Sequence, residues 1–249
     1  MTFKTALGLA RSVWIYRTNR AHHRSLVEFY RDLVPAGGLV FDIGAHVGDR
    51  IAACRALNAR VVALEPQAPA FRLLKLFFSW DSKVTLMRAA VGRETGEAML
   101  YVNSANPTVS TLSESFVSAS SGAKGWEGQE WDTSRPVPVT TLDALIAAHG
   151  RPDFIKIDVE GAEAEVLAGL SAPVPLVSFE IVTMARAAGV AALQAAEALG
   201  YESFRLSLGE SHVWTGPWTD GAKMLQILED LPDDANSGDV YARHKTIRS

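Results

Sequence analysis

VFDIGAHVG, Val40 to Gly48, decides how this chain is read. An apolar run ends in the acid Asp42, Gly44 and Gly48 bracket a tight turn, and a helical pattern starts at Arg50. A short apolar run followed by a glycine turn predicts a buried parallel strand that delivers a loop to a ligand. Glycine tolerates positive φ there and lets a ligand approach the backbone. In open α/β sheets ligands sit outside the carboxyl ends of the strands, near the point where strand order reverses. The same pattern also serves as a plain strand-to-helix turn, so the decision falls to what surrounds it.

Downstream, the rhythm is strand, helix, strand, helix. Strands are expected at 39–43, 60–64 and 83–91, with helices at 47–58 and 68–79 between them. This alternation predicts a mostly parallel sheet with helices on both faces. The rhythm stops over 103–136, a Ser- and Gly-rich stretch carrying Trp126 and Trp131. A segment of that length inside a domain is usually functional or disordered, and its tryptophans favour a lid or an acceptor contact. Strands are then expected at 137–139, 153–158, 176–182, 201–208 and 239–243. Helices are expected from 141 to 150, over 160–169 and 188–199, and around Met224 to Leu231.

Upstream, residues 1–37 form a helical extension. Phe3, Leu7, Ala10 and Trp14 recur at helical spacing, so they are expected to cover a surface. Lys4, Arg11, Arg17, Arg20 and Arg24 come before the first acid, Glu28. Such a segment packs on the domain or on a second copy, or lies on an anionic membrane surface.

The bulk composition excludes several classes. A net charge of −4 argues against a general nucleic-acid binder. One cysteine, Cys54, allows no internal disulfide and suits a reducing, cytoplasmic setting. No apolar stretch reaches a membrane span, and Lys4, Arg11 and Arg17 interrupt any signal-peptide core.

The chemistry lies in acids at strand ends. Glu65 follows the second strand, at the distance where nucleotide-binding α/β folds place the acid that receives ribose hydroxyls. A dinucleotide fingerprint aligned on Gly44 needs glycines at 46 and 49, where this chain has His46 and Asp49. The first crowds a pyrophosphate and the second repels it. S-adenosylmethionine has no phosphate and carries a sulfonium and an ammonium, so an acid-rich pocket suits it. The candidate cofactor residues are Asp42, Gly44, Ala45, His46, Gly48, Glu65 and Asp158. In KIDVEGAEAEVL, Asp158 ends a strand, and Glu160 and Glu163 are expected in the first turn of the next helix, where acids complement the dipole. Glu180, inside the apolar run LVSFEIV, needs a partner if buried. Asp158 and Glu180 are the candidate catalytic pair. No His/Asp pair at metal-ligand spacing stands out, so no metal is assigned. A divalent ion near Asp158 and Glu180 is the alternative means of activating an acceptor.

VFDIGAHVGDR, VVALEP, VTLMRAAVG, TTLDALI, FIKIDVEGAEAEVLAGL and LVSFEI, in this order, closely resemble FkbM-type methyltransferases. The resemblance covers about residues 38–183 and implies a class I, Rossmann-like methyltransferase domain over 38–249. That fold has a seven-stranded, mostly parallel sheet with one antiparallel edge strand. By the resemblance, Asp42 and Gly44 frame the methionine part of S-adenosylmethionine, Glu65 takes the ribose hydroxyls, and Asp158 faces the transferring methyl. It further implies O-methylation of a sugar, a glycolipid or polysaccharide unit, or a secondary metabolite. Asp49 departs from the aromatic or small residue common there. Two other classes stay open: a non-catalytic protein that keeps the cofactor pocket, and a nucleotide-dependent oxidoreductase.

Overall fold

The computed structural model describes residues 3–245. Positions 1–2 of the helical extension and 246–249 of the methyltransferase region lie outside the described residues. Among the described residues ten strands occur in chain order: β1 (Leu39–Ile43), β2 (Arg60–Leu64), β3 (Val84–Met87), β4 (Ala90–Val91), β5 (Gly96–Val102), β6 (Thr133–Thr140), β7 (Phe154–Ile157), β8 (Leu176–Val182), β9 (Ser203–Leu208) and β10 (Ser237–Arg243). The helices are α1 (Phe3–Ser12), α2 (Arg20–Tyr30), α3 (Asp49–Ala56), α4 (Ala68–Phe78), α5 (Glu114–Ser120), α6 (Leu142–His149), α7 (Glu163–Leu167), α8 (Arg186–Ala198) and α9 (Gly221–Asp230).

Seven strands form one sheet in the order β3-β2-β1-β7-β8-β10-β9. All run parallel except β10, which pairs antiparallel with both β8 and β9. The antiparallel strand therefore lies one place in from the edge, and β9 is the edge strand. Strand order reverses between β1 and β7, so their carboxyl ends open the crevice where a ligand is received.

Both faces of the sheet are covered, which is why β1 and β7 are buried at every position. Phe41, Ile43, Ile155, Ile157, Val177 and Phe179 pack toward α6 to α9. Val40, Val61, Ala63, Phe154 and Tyr241 pack toward α2, α3 and α4 through Leu26, Tyr30, Ile51, Cys54, Leu74 and Phe78.

Besides the place of the antiparallel strand, three sequence expectations are corrected. The strand expected over 83–91 breaks at Arg88: β3 stays in the main sheet while β4 joins a second sheet, β4-β6-β5. Ala90, Leu100, Val137 and Val139 supply that small sheet with its own apolar core. The helix expected over 160–169 begins only at Glu163, because Glu160 and Gly161 take positive φ (57° and 90°). On α1 the buried face is Thr5, Gly8, Leu9 and Ser12, whereas Phe3, Leu7 and Trp14 are exposed. Small residues let α1 lie close: a Cβ at Gly8 would come within 2.6 Å of Pro107 Cδ. Leu9 completes a cluster with Val47 and Ala70.

Candidate active site

The turn after β1 is built for close approach. Gly44 sits at φ +88°, where a Cβ would overlap the carbonyl oxygen of Asp158. Only glycine fits between the ends of β1 and β7. The Gly44 and Ala45 amides donate to Leu64 O at 3.0 and 2.9 Å, tying this turn to the end of β2. Glu65 tightens the link, since its carboxylate accepts from His46 N at 3.0 Å and Gln67 N at 2.7 Å. Each of its oxygens keeps a second lone pair for a ligand. Burial pushes Glu65 up to about 7 against the pull of the Gln67 and His46 amides. Beside it runs a narrow slot lined by Gly44, His46, Glu65, Ala89, Leu100 and Thr111. Burial also pushes His46 down to about 4, leaving a neutral ring 3.4 Å from Thr108 Oγ1.

A larger cavity of about 340 Å³ opens where β1, β7 and β8 end and the antiparallel β10 begins. Its floor is charged. Lys156, only 2% exposed, donates to Asp158 Oδ2 at 3.1 Å and Asp239 Oδ1 at 2.9 Å. Burial opposes its charge, but Asp158 and Asp239 overcome this and raise its pKa well above the usual lysine value. Glu180 stands opposite Asp239 in the β8–β10 register, and its Oε2 is buried without a hydrogen-bond partner. Burial and then the Asp158 charge push both Glu160 and Glu180 well above the ordinary carboxylate range. Asp42, on β1 beside Lys156 in register, has a buried, unpartnered Oδ2, and burial pushes its pKa up to about 7.

The opposite wall comes from the extension and from the loop after β9. Asp49 pairs with Arg50 and with His22 Nε2 at 3.3 Å. Burial disfavours its charge, yet Arg50 and His22 hold its carboxyl well below the usual range. Arg50 reaches on to Glu210 at 2.9 Å, and Tyr16 lines the same wall. Burial, then Glu210, pushes the Tyr16 phenol up to about 12.

The structure thus gathers Asp42, Gly44, Ala45, His46, Asp158 and Glu180 around the larger cavity, and Glu65 around the slot. Gly48 lines neither: at φ +80° a Cβ would strike Phe78, and its carbonyl accepts from Arg17 at 3.2 Å, so it serves packing. Glu163 is also structural, accepting from Val159 N and Gly161 N at 3.1 Å each. Sequence reasoning missed Tyr16, Arg50, Lys156, Glu210 and Asp239 as site residues. A lysine inside the apolar strand FIKI was the one available signal, because a buried cation requires acids beside it. Carboxylate oxygens of Asp158, Glu160 and Glu180 lie within 4.8 Å of one another, the donor set of a hard cation. His22, Glu210 and His212 form a second such trio, already bonded to Asp49, Arg50 and Ser25.

Acids outnumber cations on this floor, and two of their oxygens lack donors, so the cavity fits a cationic ligand and repels a pyrophosphate. A family model described as the Methyltransferase FkbM domain matches residues 42–231. The chain belongs to the FkbM methyltransferase family. Its cofactor is S-adenosylmethionine, whose ammonium and sulfonium answer the acid excess. The match begins at Asp42, so α1 and α2 lie outside it. No curated protein matches the chain. Among solved structures, the FkbM chain is similar to a TehB-like S-adenosylmethionine-dependent methyltransferase from Corynebacterium glutamicum (10% identity, 89% and 88% of the two chains, TM-score 0.45). It is also similar to a precorrin-6y C5,15-methyltransferase from Geobacter metallireducens (15%, 92% and 91%, 0.44). A third is a putative RNA methyltransferase from Pyrococcus horikoshii (13%, 100% and 100%, 0.46).

Glu65→Ala is expected to weaken S-adenosylhomocysteine binding by roughly 1.5–3 kcal/mol, the scale of hydrogen bonds to a charged group. Calorimetry checks this, and unchanged affinity removes Glu65 from the cofactor site.

Proposed function

We propose that this FkbM enzyme transfers a methyl group to a hydroxyl oxygen of a sugar, a glycolipid or polysaccharide unit, or a secondary metabolite. The observation that carries the reading is the Asp158–Glu180 pair at the mouth of the cofactor crevice, with Glu180 Oε2 lacking any donor. Bound S-adenosylmethionine supplies an already activated methyl group. The chain's own task is to align an acceptor oxygen and take its proton. Alignment of that kind lowers a barrier by roughly 7–11 kcal/mol. Asp42 faces the ammonium, Gly44, Ala45 and His46 cradle the methionine part, and Glu65 takes the ribose hydroxyls. Glu180, whose proton affinity burial and then the Asp158 charge raise well above that of an ordinary carboxylate, is assigned in its ionised form as proton acceptor, with Asp158 orienting the hydroxyl. With that donor bound, the acceptor oxygen would take the methyl as its bond to the sulfonium sulfur breaks, leaving a neutral thioether, and Glu180 would hold the hydroxyl proton.

The domain division follows the same reading: a helical extension over 1–37 and a catalytic domain over 38–249, with 103–136 as the acceptor-contacting segment. In support, Thr108, Val109 and Trp126 line the larger cavity. Phe116 packs edge-on against Trp126 at 5.4 Å, and Trp131 Nε1 donates to Val109 O at 2.9 Å. A buried, free Cys54 agrees with a cytoplasmic enzyme. The acid floor disfavours a nucleic-acid acceptor, whose phosphates it repels.

The test is a metabolite and glycan extract incubated with the enzyme and methyl-labelled cofactor, followed by mass spectrometry. Label on a hydroxyl oxygen is expected, and Glu180→Gln should lower turnover by roughly 10²–10⁴-fold while cofactor affinity stays near that of the parent. Label on carbon or nitrogen overturns the assignment. Cofactor binding without any turnover favours a non-catalytic protein.

A further inference from the structure

We infer that the outer face of α1 and α4 docks on an anionic phospholipid bilayer. Phe3, Leu7 and Trp14 on the N-terminal segment, with Leu76 and Trp80 on and just after α4, keep 64–83% of their surface exposed. The two segments are packed side by side. Leu9, Val13 and Tyr16 meet Ala70 and Leu73, and the Arg17 guanidinium lies 5.1 and 4.9 Å from the Phe77 and Phe78 ring centres. Exposed apolar groups gathered in this way mark an interaction surface.

Charge identifies the occupant. Lys4, Arg11, Arg72 and Lys75 are exposed on the same two segments as these apolar side chains, and Arg20 and Arg24 are exposed on α2. No acid occurs in 1–27 or 68–80, although the whole chain carries a net −4. Large apolar and indole side chains set among cations are the composition of a helix lying in a bilayer interface. A second copy of the chain is disfavoured, because a two-fold contact would set these cations against themselves. No helix among the described residues is long and apolar enough to cross a membrane, so the contact is peripheral.

The inward face of the same segment borders the cavity: Tyr16 lines it, and Ser12 Oγ lies 3.5 Å from Thr108 Oγ1. Docking therefore sets the cavity beside the bilayer, where a lipid-attached hydroxyl acceptor would be met. That consequence rests on the methyl-transfer reading, but the docking itself does not.

Vesicle co-sedimentation of the full chain, without cofactor or acceptor, tests the docking alone. Binding to phosphatidylserine-containing vesicles and not to pure phosphatidylcholine is expected, weakening as salt rises. Lys4→Glu with Arg11→Glu should reduce partitioning by more than about 25-fold, at about fivefold for each cation removed. The triple variant Phe3→Ser, Leu7→Ser, Trp14→Ser should lose binding while its melting temperature and S-adenosylhomocysteine affinity match the parent. No binding to anionic vesicles at low salt, or binding that the triple variant retains, overturns the inference. So does a concentration-dependent dimer that the triple variant abolishes, which would make the patch a self-association face.

Discussion

Lys156→Met lowers the stability of the cofactor-free protein by about 3–5 kcal/mol, the cost of leaving buried charges without their partner. The side chain is 2% exposed, and its ammonium donates to two carboxylates from different elements, Asp158 after β7 and Asp239 on β10. Methionine fills the space but leaves both acids facing Glu180 and Asp42 with no cation between them. For a chain of this size the melting temperature should fall by roughly 6–20 °C. Urea unfolding at neutral pH measures the loss. Adding Asp239→Asn should recover part of it, because one of the stranded charges is then gone. A loss below about 1 kcal/mol would mean that water already screens the cluster, and the floor of the cavity would need to be redrawn.

Asp42→Asn acts in the opposite direction, and its effect grows with pH. Burial pushes this carboxyl from 3.8 up to about 7. Between those values the unfolded chain has released its proton while the folded chain keeps it, so the native state weakens as pH rises. Above about 7 the folded chain carries a buried charge with one unpartnered oxygen, and the penalty is complete. It amounts to about 4 kcal/mol at most, from roughly 1.4 kcal/mol for each unit of displacement. Asparagine removes that charge, so the cofactor-free variant should be about 2–4 kcal/mol more stable than the parent at pH 8 and nearly equal to it at pH 4. The same change deprives the cofactor's ammonium of its counter-charge, so affinity should fall while stability rises. Melting curves across pH, paired with calorimetry, read both effects. A variant less stable than its parent at pH 8 would show that Asp42 is satisfied in the native state.

β1, β2 and β8 were readable to the residue, because strands buried on both faces are continuous apolar runs and punctuation marks their ends. Asp42, Glu65, Asp158 and Glu180 stood out for the same reason, as acids interrupting or ending such runs. Arg50 and Glu210 could not, since they meet only because the loop after β9 folds back across a sequence separation of 160. Glu160 was misplaced because helix-capping chemistry and a cavity-lining acid look alike in sequence. Its left-handed backbone, which few residues other than glycine adopt, directs its carbonyl to a distant partner, the Thr111 hydroxyl, which donates to it at 2.6 Å. On α1 the periodicity was correct and the face was inverted. Helical spacing shows that apolar groups share a side, and only the position of Pro107 against Gly8 shows which side the domain takes.

The placement of β10 between β8 and β9 bears on how the enzyme is made. It is the last strand of the described residues in chain order, yet it enters the sheet between two strands that emerge from the ribosome before it. Until it arrives, β9 has no hydrogen-bonded neighbour in the sheet and Lys156 lacks Asp239, one of its two carboxylate partners. A nascent chain stopped short of Ser237 thus carries an open sheet edge and an under-neutralised lysine in its interior, a state prone to association with its neighbours on a polysome. Closing the sheet and balancing the charge under the cofactor are one event.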